Sequence, residues 1–207
     1  MGAFGRDAEK GMEKARAQVA RAIGAQDREI FFTSGGTESD NWAIKGAAFA
    51  NRAKGNHIIT SAIEHPAVLE TVRELERNGY EITWILPDET GAIQASAVEA
   101  AVRSDTILIS IMYANNEIGT IEPIKKIAEI AHAHGVLCHT DAVQAMGAMR
   151  INVRDLGVDM MSFSAHKFNG PKGMGALFIK TGVPVGRLIS GGHQERTRRG
   201  GTTNVPG

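Results

Sequence analysis

The sequence alternates short apolar runs with helical patterns, and this alternation constrains the fold more than any other feature. Six runs of five to seven residues read as strands: EIFFTS, HIITS, YEITWIL, TILISIM, VLCHT and MMSFS. Helix-ending signals lie between them, such as Gly24 after the first helical segment, and Pro66 and Gly79 at the two ends of a later one. Strands that alternate with helices predict βαβ units, and hence a mostly parallel sheet flanked by helices.

Residues with chemical capability follow five of these predicted strands. The segments are SGGTES, AIEHP, YANNEIG, DAVQ and SAHK. A parallel sheet places its ligands beyond the carboxyl ends of its strands. We therefore expect the five segments to lie at one edge of the sheet and to form one site.

The composition argues against several classes of function. The 207 residues include 23 Lys and Arg and 23 Asp and Glu, so net charge gives no indication of a nucleic acid or a membrane surface as partner. One cysteine, Cys138, excludes a disulfide framework. No apolar run approaches the roughly 20 residues of a membrane span, and no secretory signal pattern opens the chain. We predict one soluble, cytoplasmic domain over residues 1–207.

The segment SGGTES, residues 34–39, predicts an anion site at the start of a helix. Glycines let the backbone approach an anion, and a helix start offers free N–H groups and a positive dipole end. An ordinary helix cap by Thr37 or Ser34 explains the same residues equally well. The segment is not a P-loop, because no GK[ST] follows it.

Lys167 comes soon after the strand-like run MMSF, where a buried strand would end. Partial loss of hydration there would favour the neutral amine, which is a nucleophile able to form a Schiff base. A solvated surface lysine is the alternative interpretation. Lys172 is the rival candidate, but it follows a proline within the loop, and we expect it to be solvated or to face a phosphate.

Asp141 and His65 also lie at predicted strand ends. Asp141 could cap the next helix, or it could hold a positively charged nitrogen of a ligand, with Gln144 nearby one helical turn later. His65 precedes a helix and could be an ordinary loop histidine. Its flat ring could instead stack on an aromatic ligand, and its titration near neutrality suits proton transfer.

A metal site is a weaker interpretation of the remaining histidines. His132 and His134 lie two apart on a predicted helix and point in different directions. Cys138 and His139 are neighbours on a predicted strand and face opposite sides. We therefore predict no metal site, and we predict that Cys138 is a buried core residue.

The loop 191–204 is rich in glycine and arginine and contains Arg196, Arg198 and Arg199. A patch for single-stranded nucleic acid would combine such residues with aromatic side chains, and this loop has none. We expect the loop to contact a phosphate or a carboxylate instead.

Six ordered strings together carry a resemblance to a known family: FFTSGGTESDNWAIKG, SAIEHPAVLET, YANNEIGTI, HTDAVQAMG, DMMSFSAHKFNGPKGMGAL and RRGGTTNVPG. With them the chain resembles, over nearly its whole length, the cysteine desulfurases of the class-V aminotransferase group. The resemblance implies an α/β fold, the aspartate-aminotransferase-like large domain that binds pyridoxal phosphate. It implies that residues 1–207 form this domain in part, and that an N-terminal segment and the small C-terminal domain are missing from a truncated chain.

The resemblance also implies roles for single residues. Lys167 would be the covalent anchor of pyridoxal phosphate, Asp141 the partner of its pyridine nitrogen, and His65 a ring-stacking residue that transfers protons. Gln144 and Asn116 would lie around the cofactor's phenolic oxygen and the substrate. The residues implied to hold the phosphate are Gly36, Thr37, Ser164 and His166, together with Thr202, which would reach the cofactor of a neighbouring subunit in a homodimer.

The implied reaction converts L-cysteine to L-alanine and passes the sulfur, as a persulfide, towards a sulfur acceptor or an iron–sulfur scaffold protein. The family's sulfur-accepting cysteine and its substrate-carboxylate arginine have no counterpart here, and Cys138 lies at a core position of the motif. We expect cofactor binding without persulfide formation. Two alternatives stay open: a selenocysteine lyase or related class-V enzyme, and a non-catalytic truncated paralogue that serves as a dimerisation partner. The strings ESDN and NNEIG favour the desulfurase.

Overall fold

The computed structural model describes residues 3–207, in which seven strands form a single mixed sheet. In chain order the strands are β1 Ile30–Thr33, β2 His57–Ser61, β3 Glu81–Ile85, β4 Thr106–Ser110, β5 Leu137–Asp141, β6 Met160–Ser164 and β7 Gly175–Ile179. Their order across the sheet is β1-β7-β6-β5-β4-β2-β3. Neighbouring strands from β3 to β6 pair in parallel, and β7 pairs antiparallel with β6 and β1. The predicted mostly parallel sheet is confirmed.

Six α-helices accompany the sheet in the described part of the chain. They are α1 Ala3–Ile23, α2 Gly36–Ala50, α3 Pro66–Arg77, α4 Ala95–Ala101, α5 Ile124–Ala133 and α6 Val153–Leu156. Short 3-10 helices cover Asp27–Glu29, Ala165–Phe168 and Glu195–Thr197. Two elements were not predicted from the sequence: α6, which has four residues, and β7, an apolar run that directly follows the glycine-rich turn. None of the helices within residues 3–207 is long and apolar enough to cross a bilayer.

Helices cover each side of the sheet, so most strands are buried on both faces; the edge strand β3 is only partly buried. One core joins side chains of α1, α4 and α5 to one face of the strands, and includes Ile59, Ile109 and Cys138. The other core joins α2 and α3 to the opposite face, and includes Ile58 and Leu108. Successive strand residues thus alternate between two cores, as the pleat requires. This two-sided burial explains why the strand sequences read as continuous apolar runs.

The start of α2 lies close to the carboxyl end of β6 and to the start of β7. A Cβ atom on Gly175 at the start of β7 would come within 2.6 Å of the Cα atom of Gly35, so the backbones meet where only glycine fits. Gly35 itself has a φ of 151°, which favours glycine. The glycine-rich turn after β1 therefore lies beside the segment that follows β6.

Candidate active site

A cavity of about 250 Å³ lies at the carboxyl ends of the parallel strands. Its walls come from the segments after β1, β2, β4, β5 and β6, the five that the sequence singled out. The lining residues are Gly36, Thr37, Asp40, His65, Met112, Asn116, Asp141, Val143, Gln144, Ser164, His166 and Lys167. Nine of the ten predicted site residues are therefore brought together. The tenth, Thr202, is exposed and lines a different cavity beside α1, and its predicted role in a neighbouring subunit stays a prediction.

Lys167 lies in the 3-10 helix Ala165–Phe168 that follows β6. The expectation that it ends a buried strand and is partly desolvated is wrong for this chain, because β6 already ends at Ser164 and the Lys167 side chain is exposed. The short run MMSF was too local a signal to show where the strand stops. Within residues 3–207 no carboxylate pairs with the Lys167 ammonium group. Its amine is free for a ligand in the cavity.

Asp141 is the last residue of β5 and is only 5% exposed. Its Oδ1 atom accepts a hydrogen bond of 2.9 Å from the backbone N–H of Val143, which lies in a turn. The interpretation of Asp141 as a helix cap is wrong, because the next helix, α6, begins only at Val153. The carboxyl group lines the cavity, and its role toward a ligand stays a prediction. Burial raises the pKa of Asp141, against the Val143 hydrogen bond and the charge of His65, which lower it. A carboxylate in this setting suits a positively charged ligand atom.

His65 caps the N-terminus of α3, and Pro66 occupies the first helical position as predicted. The Nδ1 atom of His65 accepts a hydrogen bond of 3.1 Å from the backbone N–H of Ala67. This bond places the ring proton of neutral His65 on Nε2 and fixes the orientation of the ring. The side chain is otherwise exposed at the cavity, so its Nε2 atom is available to a ligand.

Glycines and hydroxyl groups form an anion cradle at the start of α2. The first backbone N–H groups of an α-helix have no partner within the helix, and in α2 these belong to residues that line the cavity. A Cβ atom on Gly36 would lie 2.7 Å from the Cγ2 atom of Val143, so the close approach requires glycine. Ser164 Oγ and His166 Nδ1 lie 2.8 Å apart at the same end. Lys172 is exposed and lines the outer side of this cradle, which fits the prediction that it is solvated or faces a phosphate.

Two buried carboxyl groups beside the cavity were missed by the sequence analysis. Asp40 lies one helical turn after Gly36 and Thr37 on α2, a spacing that could have placed it on the same face. Glu64 precedes His65, and its Oε1 atom accepts hydrogen bonds from Ser61 Oγ at 2.5 Å and from the backbone N–H of Met112 at 2.9 Å. Burial raises the pKa of Glu64 to about 8.

Cys138 and His139 face opposite sides of β5. Cys138 lies in the α1-side core, as predicted, and burial raises the pKa of its thiol. His139 is buried between Ser110 Oγ, 2.8 Å from Nδ1, and Ser162 Oγ, 2.9 Å from Nε2. Burial lowers the pKa of His139 to about 3. Among the described residues no group of three or more His, Cys, Asp or Glu side chains is placed to hold a metal ion.

The arginines of the loop 191–204 contact protein groups and do not line the cavity. Arg199 makes hydrogen bonds of 2.5 and 3.1 Å to the two carboxylate oxygens of Glu38. Arg198 donates to the carbonyl of Val185 at 2.8 Å, and Arg196 lies 3.4 Å from a carboxylate oxygen of Glu13. These contacts fasten the loop to α1 and α2, and the expected contact with the phosphate or carboxylate of a ligand stays a prediction.

The aminotransferase class-V family model matches residues 1–207. The chain belongs to the class-V aminotransferase family. It is 57% identical, over 204 residues, to the cysteine desulfurase IscS of Methanosarcina thermophila, a match that covers 99% of this chain and 50% of that protein. The chain spans about half the length of the curated relatives it matches.

Solved structures of class-V relatives share the fold closely. A NifS-like protein superposes with a TM-score of 0.97 at 46% identity, covering 100% of this chain and 57% of that one. SspA in complex with cysteine superposes with a TM-score of 0.96 at 42% identity, covering 100% of this chain and 60% of that one. The fold class and the family that the sequence motifs implied are confirmed.

Class-V aminotransferases and cysteine desulfurases depend on pyridoxal phosphate, as the resemblance implied, and the residues at the cavity fit this group. Its cationic ring nitrogen matches the buried carboxyl group of Asp141. Its phosphate matches the glycine cradle at the start of α2. Its aldehyde requires an amine without an ion-pair partner, which Lys167 supplies.

Proposed function

We propose that this chain forms the pyridoxal-phosphate site of a cysteine desulfurase, an enzyme that converts L-cysteine to L-alanine and transfers the sulfur. The observation that carries the proposal is the convergence of an unpaired lysine, a buried carboxyl group and a glycine cradle in one cavity. The match to desulfurases at up to 57% identity supports it. Residues 1–207 would form the large cofactor-binding domain in part.

The residues would divide the binding of pyridoxal phosphate between them. Lys167 would anchor the cofactor covalently, and Asp141 would keep a proton on its ring nitrogen. Bound in this way, pyridoxal phosphate supplies an electron sink for the bonds at the α-carbon of an amino acid. Gln144 and Asn116, on the segments after β5 and β4, would contact the phenolic oxygen and the substrate. The phosphate would lie against Gly36, Thr37, Ser164 and His166.

His65 would stack on the ring and transfer the proton that the reaction moves. Its Nδ1 atom already accepts a hydrogen bond from the backbone of Ala67, so the proton of the neutral ring is on Nε2, and Nε2 is the atom that would donate a proton and take one back. Met112 and Val143 contribute apolar side chains to the lining of the cavity.

Sulfur transfer needs a thiol that this chain does not present at the cavity. Cys138 is the single cysteine of the 207 residues, and it lies in the core of β5. We therefore infer that the chain binds the cofactor but forms no persulfide by itself. The proposal further includes a homodimer in which Thr202 contacts the neighbouring cofactor, a sulfur acceptor or iron–sulfur scaffold protein as partner, and a cytoplasmic location.

Borohydride reduction followed by peptide mass mapping tests the binding half of the proposal. The chain is incubated with pyridoxal phosphate, reduced and digested, and we expect a pyridoxyl adduct on the peptide that contains Lys167. Lys172→Arg is the matched control and should keep the adduct, whereas Lys167→Arg should lose it. An adduct on Lys172 only, or no adduct at all, would contradict the proposal. Catalytic release of sulfide from L-cysteine by the chain alone would contradict the inference that the chain forms no persulfide by itself.

A further inference from the structure

Asp40 has a buried carboxyl group that faces the cavity. None of the roles proposed above involves it. It lies on α2, is 1% exposed, and its Oδ1 atom has no hydrogen-bond partner among the described residues. The nearest nitrogen of a titratable side chain is Nε2 of His139, 3.7 Å away, which is too long for a hydrogen bond. Such a carboxyl group must either find a positive partner or hold a proton.

His139 cannot act as that positive partner. Each of its ring nitrogens already has a serine hydroxyl as partner, Ser110 on one side and Ser162 on the other. Burial keeps the ring neutral at neutral pH. Ser162 is shared, because its hydroxyl also interacts with the Asp40 carboxyl group. The network around Asp40 therefore offers hydroxyl groups and a neutral ring but no cation.

The charged groups that act on Asp40 are carboxyl groups. Asp141 on β5 is the stronger influence, and Glu64 before α3 is the weaker one. Burial, followed by the charge of Asp141, raises the pKa of Asp40 well above its ordinary value. Two buried carboxylates that interact in this way do not both ionise, and one of them takes the proton. Asp141 has a backbone N–H donor from Val143 that stabilises its charge. Asp40 has only the hydroxyl of Ser162, which also interacts with His139, and its Oδ1 atom has no donor among the described residues.

We propose that Asp40 and Asp141 share one proton, and that Asp40 holds it. Asp40 is thus a positioning residue: by staying neutral on the α2 side, it leaves Asp141 as the single negative charge that faces a cationic ring nitrogen. This inference rests on the proposed function only for the identity of that ligand. The placement of the proton is a property of the chain without any ligand, and it is tested there first.

Infrared spectroscopy of the ligand-free chain at pH 7 reports the carbonyl stretch of protonated carboxyl groups. We expect wild type to show this signal and Asp40→Asn to lose one component of it. Asp155→Asn, at an exposed aspartate of α6, is the matched control and should lose none. Glu64 is also largely protonated at pH 7 and should contribute a second component to this signal, which Glu64→Gln identifies by removing it. An unchanged signal in Asp40→Asn would overturn the proposal.

A measurement on wild type covers the case in which Asp40→Asn fails to fold. With ¹³C-labelled aspartate, one side-chain carboxyl resonance should stay at the position of a protonated acid at pH 7, while those of the exposed aspartates have moved to the ionised position. If every aspartate resonance is at the ionised position at pH 7, Asp40 does not hold the proton and the inference is wrong.

The second arm uses pyridoxal phosphate with a ¹⁵N-labelled ring. Because Asn mimics a neutral Asp40, the bound ring nitrogen should stay protonated in Asp40→Asn, and the dissociation constant should stay within about threefold of wild type. A deprotonated ring nitrogen or binding weakened tenfold or more would show that Asp40 supplied negative charge, which contradicts the inference. If neither protein binds the cofactor, the proposed function fails, and the carboxyl spectra alone decide the position of the proton.

Discussion

Two sets of buried carboxyl groups in this molecule differ in their partners. In the first set, Glu195 receives two hydrogen bonds from the Arg16 guanidinium, at 2.7 and 3.1 Å, and one of 2.9 Å from the backbone N–H of Phe32. Glu29 accepts from Gln26 and Thr181 and pairs with Arg154. In the second set, no arginine or lysine among the described residues pairs with Asp40, Glu64 or Asp141.

The two sets lie in different parts of the fold. The paired groups fasten β1, the segment after β7 and the loop 191–204 to one another and to α1. The unpaired groups lie at the carboxyl ends of β2 and β5 and on the first turns of α2, around the cavity. Burial raises the pKa of Glu29, but its hydrogen bonds and the Arg154 charge outweigh that effect and its pKa is lowered. For Glu64, burial prevails and its pKa rises to about 8.

This difference separates buried carboxyl groups that stabilise the fold from buried carboxyl groups that serve a ligand site. A buried ion pair whose hydrogen bonds are complete contributes to holding elements together. A buried carboxyl group without a counterion costs free energy, and it persists in a fold where a ligand or a shared proton compensates for it. Replacing a glutamate by glutamine removes an ionisable carboxyl group of nearly the same shape in each setting, so a matched series of such variants tests the distinction directly.

Glu195→Gln should give the largest loss of stability in this series. It leaves the Arg16 guanidinium, at 3% side-chain exposure, without its buried carboxylate and with only the half-exposed Glu13 as an ion-pair partner. Breaking a buried pair in this way costs about 3–5 kcal/mol. Urea unfolding of the variant beside wild type measures the difference. Glu89→Gln, at an exposed glutamate, is the control and should change the free energy of unfolding by less than about 0.5 kcal/mol. If Glu195→Gln lowers the free energy of unfolding by less than about 1 kcal/mol, the Arg16–Glu195 pair does not stabilise the fold as proposed.

The sequence predicted the fold better than it predicted these partners. Strand runs and helix-ending residues are local signals, and six of the seven strands and the segments after them were found from the chain alone. The exposure of Lys167 depends on where β6 ends, which the run MMSF does not reveal. The buried state of Asp40 depends on α2 packing against β6. The Arg16–Glu195 pair joins residues that are 179 positions apart, a contact that no local pattern encodes.

Glu64→Gln should change how stability depends on pH. The pKa of Glu64 is about 8 in the folded chain, against an ordinary value of 4.5. Below about pH 4.5 Glu64 is protonated in both the folded and the unfolded chain, so its contribution to the free energy of unfolding is then fully present. As the pH rises, the unfolded state releases this proton first, and stability falls by up to about 1.4 kcal/mol per pH unit until about pH 8. In Glu64→Gln, the part of this decrease in stability with pH that Glu64 causes should be absent.

Urea unfolding at a series of pH values from 5 to 9 measures the effect. Asp40 and Asp141 have pKa values raised in the same direction, so the variant keeps a reduced slope and does not become independent of pH. Glu89→Gln serves again as the exposed control and should follow the wild-type curve. A Glu64→Gln curve that runs parallel to wild type over the whole range would show that Glu64 is ionised in the folded chain.

Glu74→Gln should have the smallest effect, because the carboxylate of this ion pair is half exposed to water. Glu74 on α3 lies 2.8 Å from the Lys45 ammonium group on α2, and half of its side chain is accessible to water. Water screens such a pair, and holding two long side chains in place costs entropy, so the loss should be about 0.2–1 kcal/mol and should shrink further in high salt. Glu76→Gln, an exposed residue of the same helix, is the control. A loss as large as that of Glu195→Gln would show that pairing alone, and not burial with pairing, distinguishes the structural carboxyl groups of this fold.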